Sequence, residues 1–217
     1  MSHKVAPLAD CTSLWTYPLE SDGWFRAHNA LRADMDALAS MLQSFEQQLD
    51  AGTAISRSQA AAATRFVQCF LKFLHHHHHN EDDIATPYLA TRCTVPEKIA
   101  ADHTQLEALL ERFEAATKAL LADSALVRSA LVIVQRKELA HLKEIERNVV
   151  QKSMGAMEGE GVGPSLPPMT KAERRAFAPQ EGIPFFIRWI LFRHAAKYER
   201  NVWQPFQREC LAAVAAQ

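Results

Sequence analysis

Apolar positions along the chain fall into four runs whose members recur every three or four residues, the spacing of one face of an α-helix. The first follows Asp22, a residue type suited to cap a helix N-terminus. Its stripe is Trp24, His28, Leu31, Met35, Leu38, Leu42 and Phe45. The second covers 57–89 and carries Phe66, Phe70, Phe73, His77, Glu81, Ile84 and Tyr88, with Pro87 placed to bend or end it. The third opens at Pro96, a good first helical residue, and carries Ile99, His103, Leu106, Leu110 and Phe113. The fourth starts near Ser124 with Val127, Leu131, Val134, Glu138, His141, Ile145 and Val149, and Glu146 sits beside that stripe.

Short links join these runs, and short links favour antiparallel neighbours. The pattern therefore predicts an all-α protein, an up-down-up-down antiparallel four-helix bundle. Each stripe is broken by polar residues. His28 and His103 fall early on the first and third helices. His77, Glu81 and His141 fall late on the second and fourth. Early on odd helices and late on even ones is one end of such a bundle, so these residues are expected at one level on the inner face. Burying several imidazoles and carboxylates together costs several kcal/mol unless something compensates, and a metal centre would do so.

Composition narrows the partners. Net charge is −1 with no Lys/Arg-rich block, so no nucleic-acid partner is expected. The four cysteines are scattered without a C-x-x-C pair, against a zinc ribbon or disulfide framework. The start of the chain lacks the apolar run of a secretory signal. The most apolar segment, 183–192, contains Arg188 and is too short to span a bilayer. A cytoplasmic protein without a membrane partner is expected. Gly and Pro cluster only at 155–168. The organisation read from this is an arm at 1–21, the bundle at 22–154, a linker at 155–169 and a C-terminal helical extension at 170–217. The apolar face of the extension either packs on the bundle or serves a homodimer or protein partner.

Five consecutive histidines, His75 to His79, lie inside the second helix. His77 and Glu81 are four apart and share a face. The order His28, then His77-His78-His79-Asn80-Glu81-Asp82 with Pro87 beyond, then Asp102-His103, then His141-Leu142-Lys143-Glu144-Ile145-Glu146, resembles the hemerythrin-like (HHE cation-binding) family over roughly residues 20–150. That resemblance implies a non-heme di-iron site with ligands His28, His77, Glu81, His103, His141 and Glu146, in which Glu81 and Glu146 bridge two Fe ions. Imidazole with carboxylate also accommodates Zn or Mn. The resemblance further implies a small ligand, O2, NO or peroxide, and a role in oxygen, iron or redox sensing or handling rather than chemistry on an organic substrate. The oxygen carriers of the family place two histidines four apart on the third helix. Here the partner position of His103 is Ile99, which leaves room for an open coordination position.

Alternatives stay open at this point. The helix-2 ligand could be His78, with Asp82 as its carboxylate. Glu138, one turn before His141, could be an outer acceptor for an imidazole or an extra ligand. The same centre could turn over peroxide, NO or Fe(II) as an enzyme. Glu138-x-x-His141 is one half of a ferritin-like di-iron arrangement, although no second such motif is found. An interaction module without metal would leave the histidine tract as a surface feature.

Overall fold

A computed structural model describes residues 23–92, 94–122, 128–159, 172 and 184–211. Four long helices run up and down: α1 (Gly23–Asp50), α2 (Arg57–Asn80), α4 (Glu97–Leu121) and α5 (Arg128–Gly159). Between α2 and α4, a wide π-helical turn (Glu81–Ala85) leads into the short α3 (Thr86–Ala90). A C-terminal helical segment follows, beginning with α6 (Phe185–Tyr198) and continuing through further turns to residue 211. No strand occurs among the described residues, so the fold is all-α. The expected arm at 1–21 lies outside them. The expected linker does so from residue 160 onward, and residues 155–159 continue α5 instead.

The helix ends follow local chemistry. Gly52, at φ +73°, closes the turn after α1 in a conformation that costs glycine little. Ser56 caps α2 in a reciprocal box: its hydroxyl accepts the Gln59 N–H, and the Gln59 side chain accepts the Ser56 N–H. The C-terminal carbonyl of Leu49 is satisfied from across the bundle by the Arg136 guanidinium, at 2.6 and 3.1 Å. A cation there also suits the negative end of the helix dipole. Pro87 explains the π-helical turn. A proline has no N–H and its ring collides with the carbonyl one turn back. Thr86, the residue before it, donates five residues back to Glu81. The same relation recurs before Pro205, where Gln204 donates to Glu199.

The core is apolar and continuous, built on Leu31, Leu38, Phe45, Phe66, Phe70, Leu74, Leu106, Phe113 and Leu142. Its stripe differs from the expected one on two helices. On α2 it passes through Phe66, Phe70, Leu74 and His78, while Phe73, Ile84 and Tyr88 are exposed. On α5 it passes through Val132, Gln135, Leu139, Leu142, Ile145, Val149, Ser153 and Met157. That stripe lies one position from the expected one before Ile145, so Glu138 is only partly buried and His141 is exposed.

The register of α5 also differs. In its first turns Gln135 accepts the N–H of Ile55, from the link between α1 and α2, at 3.1 Å. Lys143 pairs with Glu46 on α1. At the other end Lys98 donates to the Gly155 carbonyl at 2.8 Å, and Lys152 lies 3.4 Å from Asp102. Gly155 allows this approach, since a Cβ there would come within 3.3 Å of both Asp102 Oδ2 and Lys98 Nζ. Thus 152–155, not 141–146, stand beside His103.

The C-terminal segment packs on the bundle. Phe206 is fully buried and stacks on Phe66 of α2 at 3.9 Å between centroids. The buried Cys210 thiol donates to the Gln59 carbonyl. No helix among the described residues is long and apolar enough to cross a membrane.

Candidate metal centre

One turn of α2 carries the essential geometry. His77 and His78 are neighbours, about 100° apart around the helix, and Glu81 is four residues after the first and three after the second. Both separations bring side chains together on a helix surface. The carboxylate therefore stands between two imidazoles of its own helix. α1 brings His28 to one side of it and α4 brings His103 to the other.

The Glu81 oxygens face different ways. Oε1 lies 2.9 Å from His77 Nε2 and 3.3 Å from His28 Nε2. Oε2 lies 3.6 Å from His103 Nε2. The His78 ring stacks on His103 at 4.6 Å. Two groups with metal-ligand spacing result, His28/His77/Glu81 and His78/Glu81/His103, and they share Glu81. This matches a carboxylate-bridged two-iron arrangement.

Outer contacts orient the rings. His28 Nδ1 lies 2.9 Å from the Trp24 carbonyl, and a carbonyl only accepts, so Nδ1 carries the proton. His103 Nδ1 lies 2.8 Å from Asp82 Oδ1 and donates to it in the same way. In both rings Nε2 is left as the donor atom turned toward Glu81, the arrangement that metal-ligating histidines use. Burial pushes the Glu81 carboxyl up, but the His28 and His77 rings beside it outweigh this and hold it down at about 2. Burial, reinforced by His103, pulls His78 down to about 3. His78 is therefore a neutral imidazole, with the lone pair of one ring nitrogen available.

The residues present fit a metal. His78 Nδ1 is buried without a hydrogen-bond partner, a costly state for a polar atom that coordination would relieve. The donors are imidazole and carboxylate with no thiolate, a set suited to Fe, Zn or Mn. On the outer side a cavity of about 310 Å³, lined by Trp24, Ala27, Ile84 and Ala85 among others, reaches His77 and Glu81.

Of the residues expected to form the site, His28, His77, Glu81 and His103 come together. His141 and Glu146 do not join them. His141 is exposed and lies two residues from Lys143, which pairs with Glu46. Glu46 is 18 residues beyond His28 on α1, about 27 Å along the axis. Glu146 is half-buried near the middle of α5, its carboxyl pushed up by burial. The expectation for His141 and Glu146 comes from the family resemblance, and for His141 also from its late position on the fourth helix. The longer helix carries its late turns to Ser153 and Met157 instead. His78, the alternative to His77, stands beside it: both have metal-ligand spacing to Glu81. The available clue was the H-H-x-x-E spacing itself, which gives one carboxylate two imidazoles. Ile99 is buried where a second α4 histidine would stand, and His78 supplies the imidazole beside His103 from α2.

Searches of curated proteins and of solved structures found no match. Residues 20–152 match the hemerythrin HHE cation binding domain. This stretch covers more than half of the chain and contains both ligand groups, and the chain belongs to that family.

Proposed function

We propose that this protein holds two non-heme irons and uses them to bind a small oxidant or diatomic ligand, O2, NO or peroxide, in oxygen, iron or redox sensing or handling. His28, His77 and Glu81 would hold one ion, and His78, Glu81 and His103 the other. The observation that carries the reading is the buried Glu81 carboxylate, with one oxygen facing each histidine group. Bound there, two irons would supply one- or two-electron chemistry toward small oxidants. The chain's own residues supply the setting. Glu81 brings negative charge to the midpoint of the pair. The Trp24 carbonyl and Asp82 hold the tautomers of His28 and His103. The cavity beside Trp24 and Ile84 is large enough for a diatomic or peroxide.

Binding is favoured over catalysis by family membership and by the two histidine–carboxylate ligand groups. A cytoplasmic location fits this reading. The exposed Ile187, Ile190 and Phe192 on α6 are the surface offered to a homodimer or protein partner. Metal content and optical spectrum, before and after dithionite, test the proposal. About two irons per chain, with near-ultraviolet absorption that reduction bleaches, are expected. A folded protein without iron after aerobic and anaerobic loading would overturn it. Loaded protein that cycles with O2 without net consumption is a binder, whereas steady loss of peroxide or NO marks an enzyme.

A further inference from the structure

The two halves of the centre have unlike surroundings. His28 rests on a neutral acceptor, the Trp24 carbonyl. His103 rests on a carboxylate, Asp82, at 2.8 Å. His77 and His28 contact Glu81 and each other at 2.9–3.3 Å. His78 Nδ1, by contrast, is buried with no hydrogen-bond partner. His28, His78 and His103 are 1%, 4% and 2% exposed, while the His77 side chain is 11% exposed and lines the outer cavity.

From the hydrogen bond of Asp82 to His103 and the unpartnered nitrogen of His78, we infer that Asp82 is a positioning residue that makes the His78/Glu81/His103 group the tighter of two unequal metal sites. This rests on the metal-binding reading above and adds to it an order of filling. An ion arriving at that group meets an imidazole whose basicity is raised by a charged acceptor. It also satisfies a buried nitrogen that otherwise has nothing. At the other group it meets rings that contact each other and Glu81 at 2.9–3.3 Å, with the neutral Trp24 carbonyl behind His28. Asp82 lies in the widened turn Glu81–Ala85 and its side chain is 47% exposed, so it touches the centre from outside without filling it.

The experiment titrates metal-free protein with Co(II) by calorimetry and absorbance, comparing wild type with Asp82→Asn, Asp82→Ala and the control Asp83→Asn. Asp83 is exposed and pairs with His79. Two steps are expected in the wild type. Asp82→Asn should weaken the tighter step about tenfold or more, toward the hundredfold seen when outer partners of metal ligands are removed, and leave the weaker step within about twofold. Asp82→Ala should lose at least as much, and Asp83→Asn should move neither step. In the metal-free proteins, the His103 imidazole N–H resonance should be present in the wild type, shifted in Asp82→Asn and lost in Asp82→Ala. Two ions bound with an unchanged tighter step in Asp82→Asn would overturn this inference alone. A wild type that takes up no ion would overturn the metal reading and this inference with it.

Discussion

At the scale of single residues, the site depends on which face a side chain takes. His75, His77, His78 and His79 look alike in sequence, but only His77 and His78 turn toward Glu81. His75 pairs with Glu107 and His79 with Asp83 on the surface. Metal content after substitution should follow this division. His103→Ala and His78→Ala are each expected to lose at least one ion per chain, while His75→Ala and His141→Ala keep the wild-type content. Equal content in all four would remove the ligand assignment. Asp34 offers a separate test, remote from the ligands in the register of α1. Burial raises its carboxyl to about 6 from an ordinary 3.8, beside Cys69 and Tyr198. A folded pKa above the unfolded one means that stability is full below about pH 4 and is lost as pH rises through 6. Asp34→Asn should therefore stabilise the protein at pH 7–8 by on the order of 1–2 kcal/mol and change little near pH 4. Thermal melts at both pH values would show it, and an equal effect at both would contradict the buried-acid account.

At the scale of elements, each helix was legible from its period, while its rotation and register were not. The stripe on α1 is as expected because its apolar residues leave no second choice. α5 carries Leu131, Val134 and Ile133 as well as Val132, Leu139 and Leu142, so two adjacent faces are apolar at its start. Ile133 and Val134 prove exposed, and the face bearing Leu139 and Leu142 is the one packed. The register of α5 then follows from Arg136 on the α1 carboxyl end and Gly155 against α4, contacts between residues more than 50 apart in sequence. The C-terminal segment is a comparable case. Its packing turns on Phe206 and Cys210, which lie near its end. Phe206→Ala should cost about 3–5 kcal/mol, the range for deleting a fully buried phenylalanine ring, and should leave metal content unchanged because Phe66 lies three turns before His77. Urea unfolding followed by metal analysis would check both halves of that statement.

At the scale of the whole molecule, the apolar core and the metal centre occupy different stretches of the same bundle. The core from Phe45 and Phe66 to Phe113 needs no ion to exclude water. Chelation should therefore leave the protein helical while lowering its thermal midpoint. Metal bound at a hundred times its dissociation constant contributes about 2.7 kcal/mol, or roughly 5–10 °C for a chain of this size. Circular dichroism melts with and without EDTA read this directly. Complete unfolding on chelation would show that the centre, not the core, holds the bundle together.

The sequence by itself determined the all-α class, the four long helices, their antiparallel order and three of the four helices that meet at the centre. These follow from local rules: a helical period, caps, short links, and histidine beside glutamate at the spacing of one turn. Only the tertiary structure decided that His78 joins His77, that Asp82 reaches His103, and that α5 presents Ser153 and Met157 at that level instead of His141 and Glu146. Such outcomes depend on how far one helix slides and turns against another. Sliding by a turn or two preserves every local preference, and the choice is made by contacts between residues far apart in the chain.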